Sequence, residues 1–208
     1  MNNLAIYSIG HSDYSTEKFI DLLKKYSINY LVDVRSSPYS KRIPQFNREL
    51  VKIDLKEKGI NYIYLGNKLG GRYSDPNLLF DNKQVDFEKV RETDLFIEGL
   101  NEIIGLVKQN NRVAFMCAEK DPFGCHRFAL VSRTLSLKGV EVRHILEDGN
   151  FVLNVELEKK ILKKYKSDYN QFNFFEKTKT REDALTKAYR LRNKDIAYSN
   201  EENREQGQ

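Results

Sequence analysis

Two cysteines and a histidine stand close together in a segment that could carry nucleophilic chemistry. The segment Cys117–Arg127 runs from a predicted strand into a predicted helix. Cys125 and His126 are expected near the N-terminus of that helix, where unpaired N–H groups lower the pKa of a thiol and attract anions. A thiolate beside an anion site suits sulfur transfer or attack on a phosphoester. We therefore predict Cys125 and His126 as catalytic residues, Glu119 as an acid–base partner and Arg127 as an anion ligand.

The first cysteine of this segment admits several interpretations. Cys117 is predicted to line the ligand site, although a strand-end cysteine can equally be a small buried hydrophobic residue. Cys117, Cys125, His11 and His126 could together supply nitrogen and sulfur ligands to a metal ion. However, the C-x7-C-H spacing is not that of a zinc finger or ribbon, so we predict neither a metal nor another cofactor.

Two loops nearer the N-terminus add polar groups that could take part. His11 follows the first predicted strand in a Gly-His-Ser turn, where it could act as a base, a hydrogen-bond donor or a packing residue. Asp33 ends the second strand and could serve as an acid–base group, orient Arg35 or close an Asx-turn. We include His11 and Asp33 among the predicted catalytic residues.

The remaining candidates are predicted to bind a ligand. The stretch from Arg35 to Arg48 contains four basic and no acidic residues, and it includes Ser36 and Ser37. This combination suits a phosphate or a nucleotide, although a solvated basic loop would look the same. A later loop carries Gly70, Gly71 and Arg72, in which paired glycines could form a nest of N–H groups around an anion.

Strands and amphipathic stretches alternate along most of the chain, which favours a parallel sheet covered on both faces. The predicted strands are Leu4–Ile9, Tyr30–Val34, Ile60–Leu65, Arg112–Met116 and Val140–Ile145. The predicted helices are Thr16–Tyr26, Asn47–Lys58, Phe87–Gln109, His126–Lys138, Val155–Lys166 and Arg181–Arg192. We predict an α/β fold: an open, mostly parallel sheet of about five strands in a three-layer sandwich, with a C-terminal helical extension. Because ligands of such sheets bind beyond the carboxyl ends of the strands, Arg35, Arg72 and Arg127 should face one crevice.

Composition places limits on the class of protein. The chain has 208 residues with a net charge of +5, and it contains two cysteines. No apolar run approaches the roughly 18 residues of a membrane span, and no signal-peptide core is evident. We expect a cytoplasmic protein with reduced thiols and no membrane partner. Residues 1–154 are predicted to form the α/β domain and residues 155–208 a helical extension with a disordered polar tail.

These segments resemble a bacterial family known as domain of unknown function 488. The resemblance rests on Ser8–Ser12, Leu31–Ser40, Tyr64–Gly66, Leu69–Gly71, Cys117–Glu119, Cys125–Arg127 and Arg143–Gly149. It implies a compact α/β domain of cytoplasmic bacterial type with these residues as its site, and it implies no activity. Family members often place a histidine shortly after the last Asp-Gly pair, near the position of Asn154 here. The run Val32–Arg35 and the cysteine loop also look like rhodanese-type sulfurtransferases, although an eleven-residue loop is longer than theirs.

Three functions remain open from the sequence alone. The first is an enzyme that acts on a phosphorylated or nucleotide-like substrate through Cys/His chemistry, with rhodanese-like sulfur transfer as a variant. The second is a nucleic-acid-binding module that uses the basic stretch Arg35–Arg48 and the C-terminal helix, for which affinity should fall steeply with salt. The third is a regulatory domain that senses a small anion without turnover. The sequence leaves the oligomeric state undetermined.

Overall fold

Six strands form one sheet whose order is β3-β2-β4-β1-β5-β6. The computed structural model describes residues 4–166 and 180–199. The strands are β1 Ala5–Gly10, β2 Tyr30–Asp33, β3 Asn61–Tyr64, β4 Val113–Cys117, β5 Glu141–Ile145 and β6 Phe151–Leu153. The first five pair in parallel, and β6 pairs antiparallel with β5 at the edge. The predicted α/β class is confirmed, with one strand more than the sequence predicted.

The helices lie on both faces of this sheet. They are α1 Thr16–Lys25, α2 Arg48–Glu57, α3 Gly66–Leu69, α4 Phe87–Arg91, α5 Asp94–Lys108, α6 Arg133–Leu137, α7 Asn154–Lys164 and α8 Arg181–Ile196. Short 3₁₀ turns occur at Pro44–Phe46, Pro76–Leu78 and Pro122–Gly124, and a π-helical segment, Arg127–Ser132, leads into α6.

The sheet separates two hydrophobic cores, and successive side chains of β4 point alternately into one core and the other. Val113, Phe115 and Cys117 point into one core, which is closed by α5, the π-helical segment, α7 and α8. Ala114 and Met116 point into the other core, which is closed by α1 and α2. Because side chains of a strand alternate between faces, a strand buried on both sides must be apolar throughout, and all five residues of β4 are buried.

Two predicted helices differ from the structure. The predicted helix Phe87–Gln109 is interrupted, because the Thr93 hydroxyl accepts a hydrogen bond from the Phe96 N–H and starts a new helix there. The predicted helix His126–Lys138 begins as a π-helical segment, a form that is frequent at functional sites.

The C-terminal extension packs against the same core as the sheet. Leu157 and Ile161 of α7 and Leu185 and Tyr189 of α8 are buried in the core that contains Phe115. The predicted disordered tail, residues 199–208, lies beyond the described residues except for Ser199. Within the described ranges, no helix has both the length and the apolar character that a membrane span requires.

Candidate functional site

A crevice opens at the carboxyl ends of β2 and β4, where the chain leaves the two strands toward opposite faces of the sheet. The segment after β2 leads to α2 on one face, and the segment after β4 leads to the π-helical segment on the other. Such a divergence leaves a gap between adjacent loops and is the usual ligand site of an open α/β sheet. The cavity here has a volume of about 420 Å³. It is lined by Arg35, Ser36, Ser37, Gly71, Arg72, Gln84, Phe87, Cys117, Ala118, Glu119, Gly124, Cys125, His126, Asp195, Ile196, Ala197 and Tyr198.

Three side chains form what we call the Cys-His cluster: Cys117, Cys125 and His126. The His126 Nδ1 lies 3.5 Å from the Cys117 Sγ and 3.8 Å from the Cys125 Sγ. Both cysteines are free and buried, Cys117 at the end of β4 and Cys125 just before the π-helical segment. The fold therefore brings the two cysteines and the histidine of the predicted site together in the crevice wall.

The orientation of the His126 ring is set by the backbone of the neighbouring strand. Its Nε2 lies 3.1 Å from the carbonyl oxygen of Val34 and can donate a proton to it. Because a neutral imidazole carries one N–H, this hydrogen bond leaves Nδ1 with its lone pair facing the sulfurs.

Glu119 places a carboxylate against both thiols. Its Oε2 lies 2.9 Å from the Cys117 Sγ and 3.1 Å from the Cys125 Sγ, so each thiol can donate a hydrogen bond to it. The residue as a whole is exposed, which leaves its other oxygen accessible from the crevice. The predicted acid–base partner is therefore in contact with the cluster.

The two thiols differ in acidity. Burial raises the pKa of Cys117, and the adjacent Cys125 and Glu119 reinforce that shift. Burial acts in the same direction on Cys125, but the hydrogen bond from Cys117 and the charges of Arg127 and His126 outweigh it and hold the pKa of Cys125 well below its usual range. For His126, the contact with Cys125 outweighs burial and raises the pKa. The positive charges of Arg127 and His126 thus favour the thiolate form of Cys125.

Arg35 forms part of the crevice wall, and its guanidinium is fixed by hydrogen bonds to residues that do not line the crevice. Its Nε and NH2 groups donate to the carboxylate of Asp33, and NH2 also donates to the carbonyl of Phe46. NH1 lies 3.1 Å from the Nε2 of His11. Tyr62 donates its hydroxyl proton to Asp33 at 2.6 Å. A guanidinium carries five N–H groups, and these contacts leave one NH1 hydrogen for the crevice.

His11 and Asp33 lie behind Arg35, and neither lines the cavity. The His11 ring stacks on Phe46, and its Nδ1 donates to the carbonyl of Ser12. Burial, together with the charge of Arg35, lowers the pKa of His11 to about 4, so the ring is neutral and accepts from Arg35. These two predicted catalytic residues therefore position Arg35 and do not face a ligand in the crevice.

The loop that carries Gly70, Gly71 and Arg72 (the glycine loop) meets the stretch Arg35–Arg48 (the basic loop) at the mouth of the crevice. The Arg72 N–H donates to the Ser36 hydroxyl at 3.0 Å. A Cβ added to Gly70 would come within 2.3 Å of that hydroxyl oxygen, and one added to Gly71 within 2.9 Å of the His126 ring. Both positions need glycine because other groups approach them closely, and Gly71 also lines the cavity.

Arg127 has a different environment from the one predicted. Its side chain is fully buried and absent from the cavity lining, and it donates to the carbonyl oxygens of Glu119 and Lys120. These bonds fix the loop that carries Glu119. Arg127 thus supports the site from within the protein.

Sequence reasoning did not identify the C-terminal residues that reach the crevice. The Val85 N–H donates to the Tyr198 carbonyl at 3.0 Å, which holds the segment after α8 against the opening. The Arg72 guanidinium lies over the Tyr198 ring, 4.8 Å from its centre. Asp195, Ile196 and Ala197 line the cavity beside it. No local pattern could have indicated these contacts, because the partners are more than a hundred residues apart.

Comparison with known proteins gives a family. A family model described as domain of unknown function DUF488 matches residues 15–134, which is more than half of the chain. The match includes the Cys-His cluster and both arginines of the cavity wall, and it ends before α7 and α8. A search of curated proteins and a search of solved structures each found no match.

Proposed function

Because the chain belongs to the family called domain of unknown function DUF488, which names no activity, we propose its function from its own geometry: the crevice binds a phosphorylated or nucleotide-like ligand, and the Cys-His cluster acts on it. The observation that carries this proposal is the meeting of Arg35, Arg72 and the cluster in one cavity. Guanidinium groups are suited to phosphate because their planar N–H groups bind two oxygens at once.

The charges around Arg72 favour an anion there, whereas the cavity carboxylate Glu119 lies against the two thiols. Asp33 neutralises Arg35 through a buried ion pair. Asp195 is neutralised by Lys164 at 2.8 Å, with Arg192 at 3.5 Å. No carboxylate lies within ion-pairing distance of Arg72 among residues 4–166 and 180–199. The exposed Arg72 thus retains a charge that a phosphate group could pair with.

Hydrogen-bonding groups around Arg72 supply the remaining contacts. The hydroxyls of Ser36 and Ser37 and the last N–H of Arg35 are available on the same wall. The Tyr198 ring supports the Arg72 guanidinium from one side, which restrains the side chain before a ligand arrives. A phosphate bound here would lie next to the Cys-His cluster, the only thiols of the chain.

Calorimetric titration of the protein with inorganic phosphate and with adenosine monophosphate tests the binding. Arg72→Gln should weaken both ligands by about tenfold or more, because a charge-assisted hydrogen bond contributes about 1.5–3 kcal/mol. The matched control is Arg42→Gln, which removes an exposed charge of the same basic loop outside the cavity. Unchanged affinity in Arg72→Gln would overturn the proposal.

The same pair of variants separates this function from nucleic-acid binding. A nucleic-acid surface formed by the exposed Lys41 and Arg42 predicts the opposite order, with Arg42→Gln weakening a bound oligonucleotide and flattening its dependence on salt. That result, together with no binding of the mononucleotide, would identify the basic loop rather than the crevice as the binding site.

A further inference from the structure

We propose that the Cys-His cluster is a metal site, in which the Sγ atoms of Cys117 and Cys125 and the Nδ1 of His126 bind one divalent cation of the Zn²⁺ class. This inference goes beyond the proposed function and stands whether or not the crevice binds a phosphorylated ligand. It assigns a cofactor to a chain in which the spacing of the cysteines predicted none.

The distances between the ligand atoms fit one tetrahedral ion. Zn²⁺ bonds sulfur at about 2.3 Å and nitrogen at about 2.0–2.1 Å, which places a sulfur and a nitrogen ligand about 3.6 Å apart. The Nδ1 of His126 lies 3.5 Å from one sulfur and 3.8 Å from the other. All three ligand atoms lie within 4.8 Å of one another.

The histidine is oriented as a metal ligand requires. A ligating imidazole almost always donates its second N–H to a carbonyl or carboxylate, which fixes the tautomer and directs the other nitrogen at the ion. The Val34 carbonyl accepts from the Nε2 of His126 at 3.1 Å, and Nδ1 faces the sulfurs. Gly71 packs against this side chain near Cβ and Cγ, since an added Cβ there would lie 2.9 Å from both atoms.

Three acidic groups, two thiols and one carboxylate, lie together at the Cys-His cluster. Two thiols and the Glu119 carboxylate are in direct contact, while the nearby Arg127 guanidinium binds backbone carbonyls. A divalent cation binds cysteines as thiolates, so binding releases the thiol protons that remain. The S–H···O bonds to Glu119 are lost when those protons leave, and Glu119 is not one of the three proposed ligands.

Three protein ligands leave one coordination position for a small molecule. Cys117, Cys125 and His126 all contribute to the cavity wall, so this position opens toward the crevice. An open position is the feature that separates catalytic zinc sites from structural sites, which use four protein ligands. Soft thiolate ligands combined with imidazole favour zinc over magnesium, calcium or manganese.

Cobalt provides the probe for this site. The full-length protein is treated with a chelator, reduced, and titrated with Co²⁺. We expect saturation at about one ion per chain, thiolate-to-cobalt charge-transfer absorption in the near ultraviolet, and the strong visible bands of tetrahedral cobalt. Added Zn²⁺ should abolish both. A chain that binds no cobalt, or binds it without thiolate bands, would overturn the proposal.

Substitution of each proposed ligand tests whether that residue binds the cobalt ion. Cys117→Ser, Cys125→Ser and His126→Gln should each weaken cobalt binding by more than a hundredfold. His144→Gln is the matched control, because it replaces a buried histidine of β5 that lies outside both the cavity and the cluster. Thiolate bands that persist in both cysteine variants would place the ion elsewhere and contradict the assignment.

Two further measurements keep the test valid if a variant fails to fold. In the wild-type protein, Zn²⁺ should protect both cysteines from alkylation and raise the melting temperature, because a ligand of the folded state stabilises it. Unprotected thiols in the presence of Zn²⁺ would count against the site. Arg72→Gln should retain cobalt binding while losing phosphate, so failure of the proposed function and failure of the metal site give different results.

Discussion

Gly71 connects the glycine loop to the Cys-His cluster. Its Cα faces the His126 ring so closely that an added methyl group would lie 2.9 Å from two ring-side carbons. We expect Gly71→Ala to rotate His126 away from the sulfurs and to weaken cobalt binding by about 10–100-fold, the usual effect of disturbing the groups that orient a metal ligand. Competition with a chromophoric chelator measures this change.

The matched control is another glycine-to-alanine change. Gly105 lies in α5, and an added methyl group meets nothing within 4 Å. Gly105→Ala should leave cobalt affinity unchanged and raise the free energy of unfolding by about 0.5–1 kcal/mol, because alanine favours the helix. If Gly71→Ala binds cobalt as tightly as Gly105→Ala does, Gly71 does not position His126.

At this scale the sequence predicted the residue types of the site better than their roles. Cys125, His126 and Glu119 follow one strand, so local spacing alone placed them together. His11 and Arg127 are of the same residue types as the histidine and the arginines that line the crevice, but they make their contacts elsewhere. Their roles depend on which neighbour each side chain meets, and those contacts form between distant segments. Spacing also argued against a metal, and the metal site proposed above depends on the fold bringing Cys117 close to His126.

At the scale of elements, a buried histidine links two strands and a helix. His144 of β5 accepts a hydrogen bond from Ser8 of β1 at 2.7 Å and donates to the Asn154 side chain, at the start of α7, at 3.1 Å. Burial, opposed in part by Asn154, lowers the pKa of His144 to about 3. Asn154 stands near the position at which family members often carry a histidine, and here its role is to bind this ring.

This buried histidine predicts the pH dependence of stability. The unfolded chain takes up a proton near pH 6.5, whereas folded His144 does so only near its pKa of about 3. The stability that the neutral ring confers is therefore complete above pH 6.5 and is lost as the pH falls toward 3. For one group the slope is at most about 1.4 kcal/mol per pH unit.

Urea unfolding at a series of pH values measures this slope. His144→Gln keeps a hydrogen-bonding side chain without a titrating ring, so its stability should depend less on pH between 6.5 and 3 than that of the wild type. Equal slopes in the two proteins would mean that His144 does not determine the acid response.

The sequence predicted the elements well where hydrophobic periodicity was long. All five predicted strands are present, because each places apolar residues in the core even where, as in β5, charged residues alternate with them. The break between α4 and α5 was missed because the apolar positions continue through it, and one hydroxyl at Thr93 decides the new start. Strand β6 was missed because three residues are too short for a pattern and its pairing with β5 is antiparallel.

At the scale of the whole molecule, the C-terminal extension completes both the core and the crevice. Leu185 of α8 is 1 % exposed and packs into the core shared with β4, and the chain continues from α8 to Tyr198 at the cavity mouth. The predicted domain boundary at residue 154 therefore runs through continuous packing. We expect the two segments to unfold together.

Leu185→Ala tests this coupling. Truncating a buried leucine should lower the free energy of unfolding by about 2–5 kcal/mol within a single transition. Ile53→Ala is the control, since Ile53 of α2 is largely exposed and should cost well under that amount. Circular dichroism and tyrosine fluorescence, followed together in urea, should give coincident curves. Two separate transitions, with Leu185→Ala shifting only one of them, would show that the extension is an independent unit.

The crevice between β2 and β4 is proposed to receive a phosphorylated ligand. A ¹H–¹⁵N spectrum recorded during titration with adenosine monophosphate would locate the bound ligand. Shifts should concentrate at Ser36, Ser37, Arg72 and His126 and reach saturation by about millimolar ligand. Shifts confined to Lys41, Arg42 and the exposed face of α8, or an unchanged spectrum at that concentration, would show that the crevice does not bind this ligand.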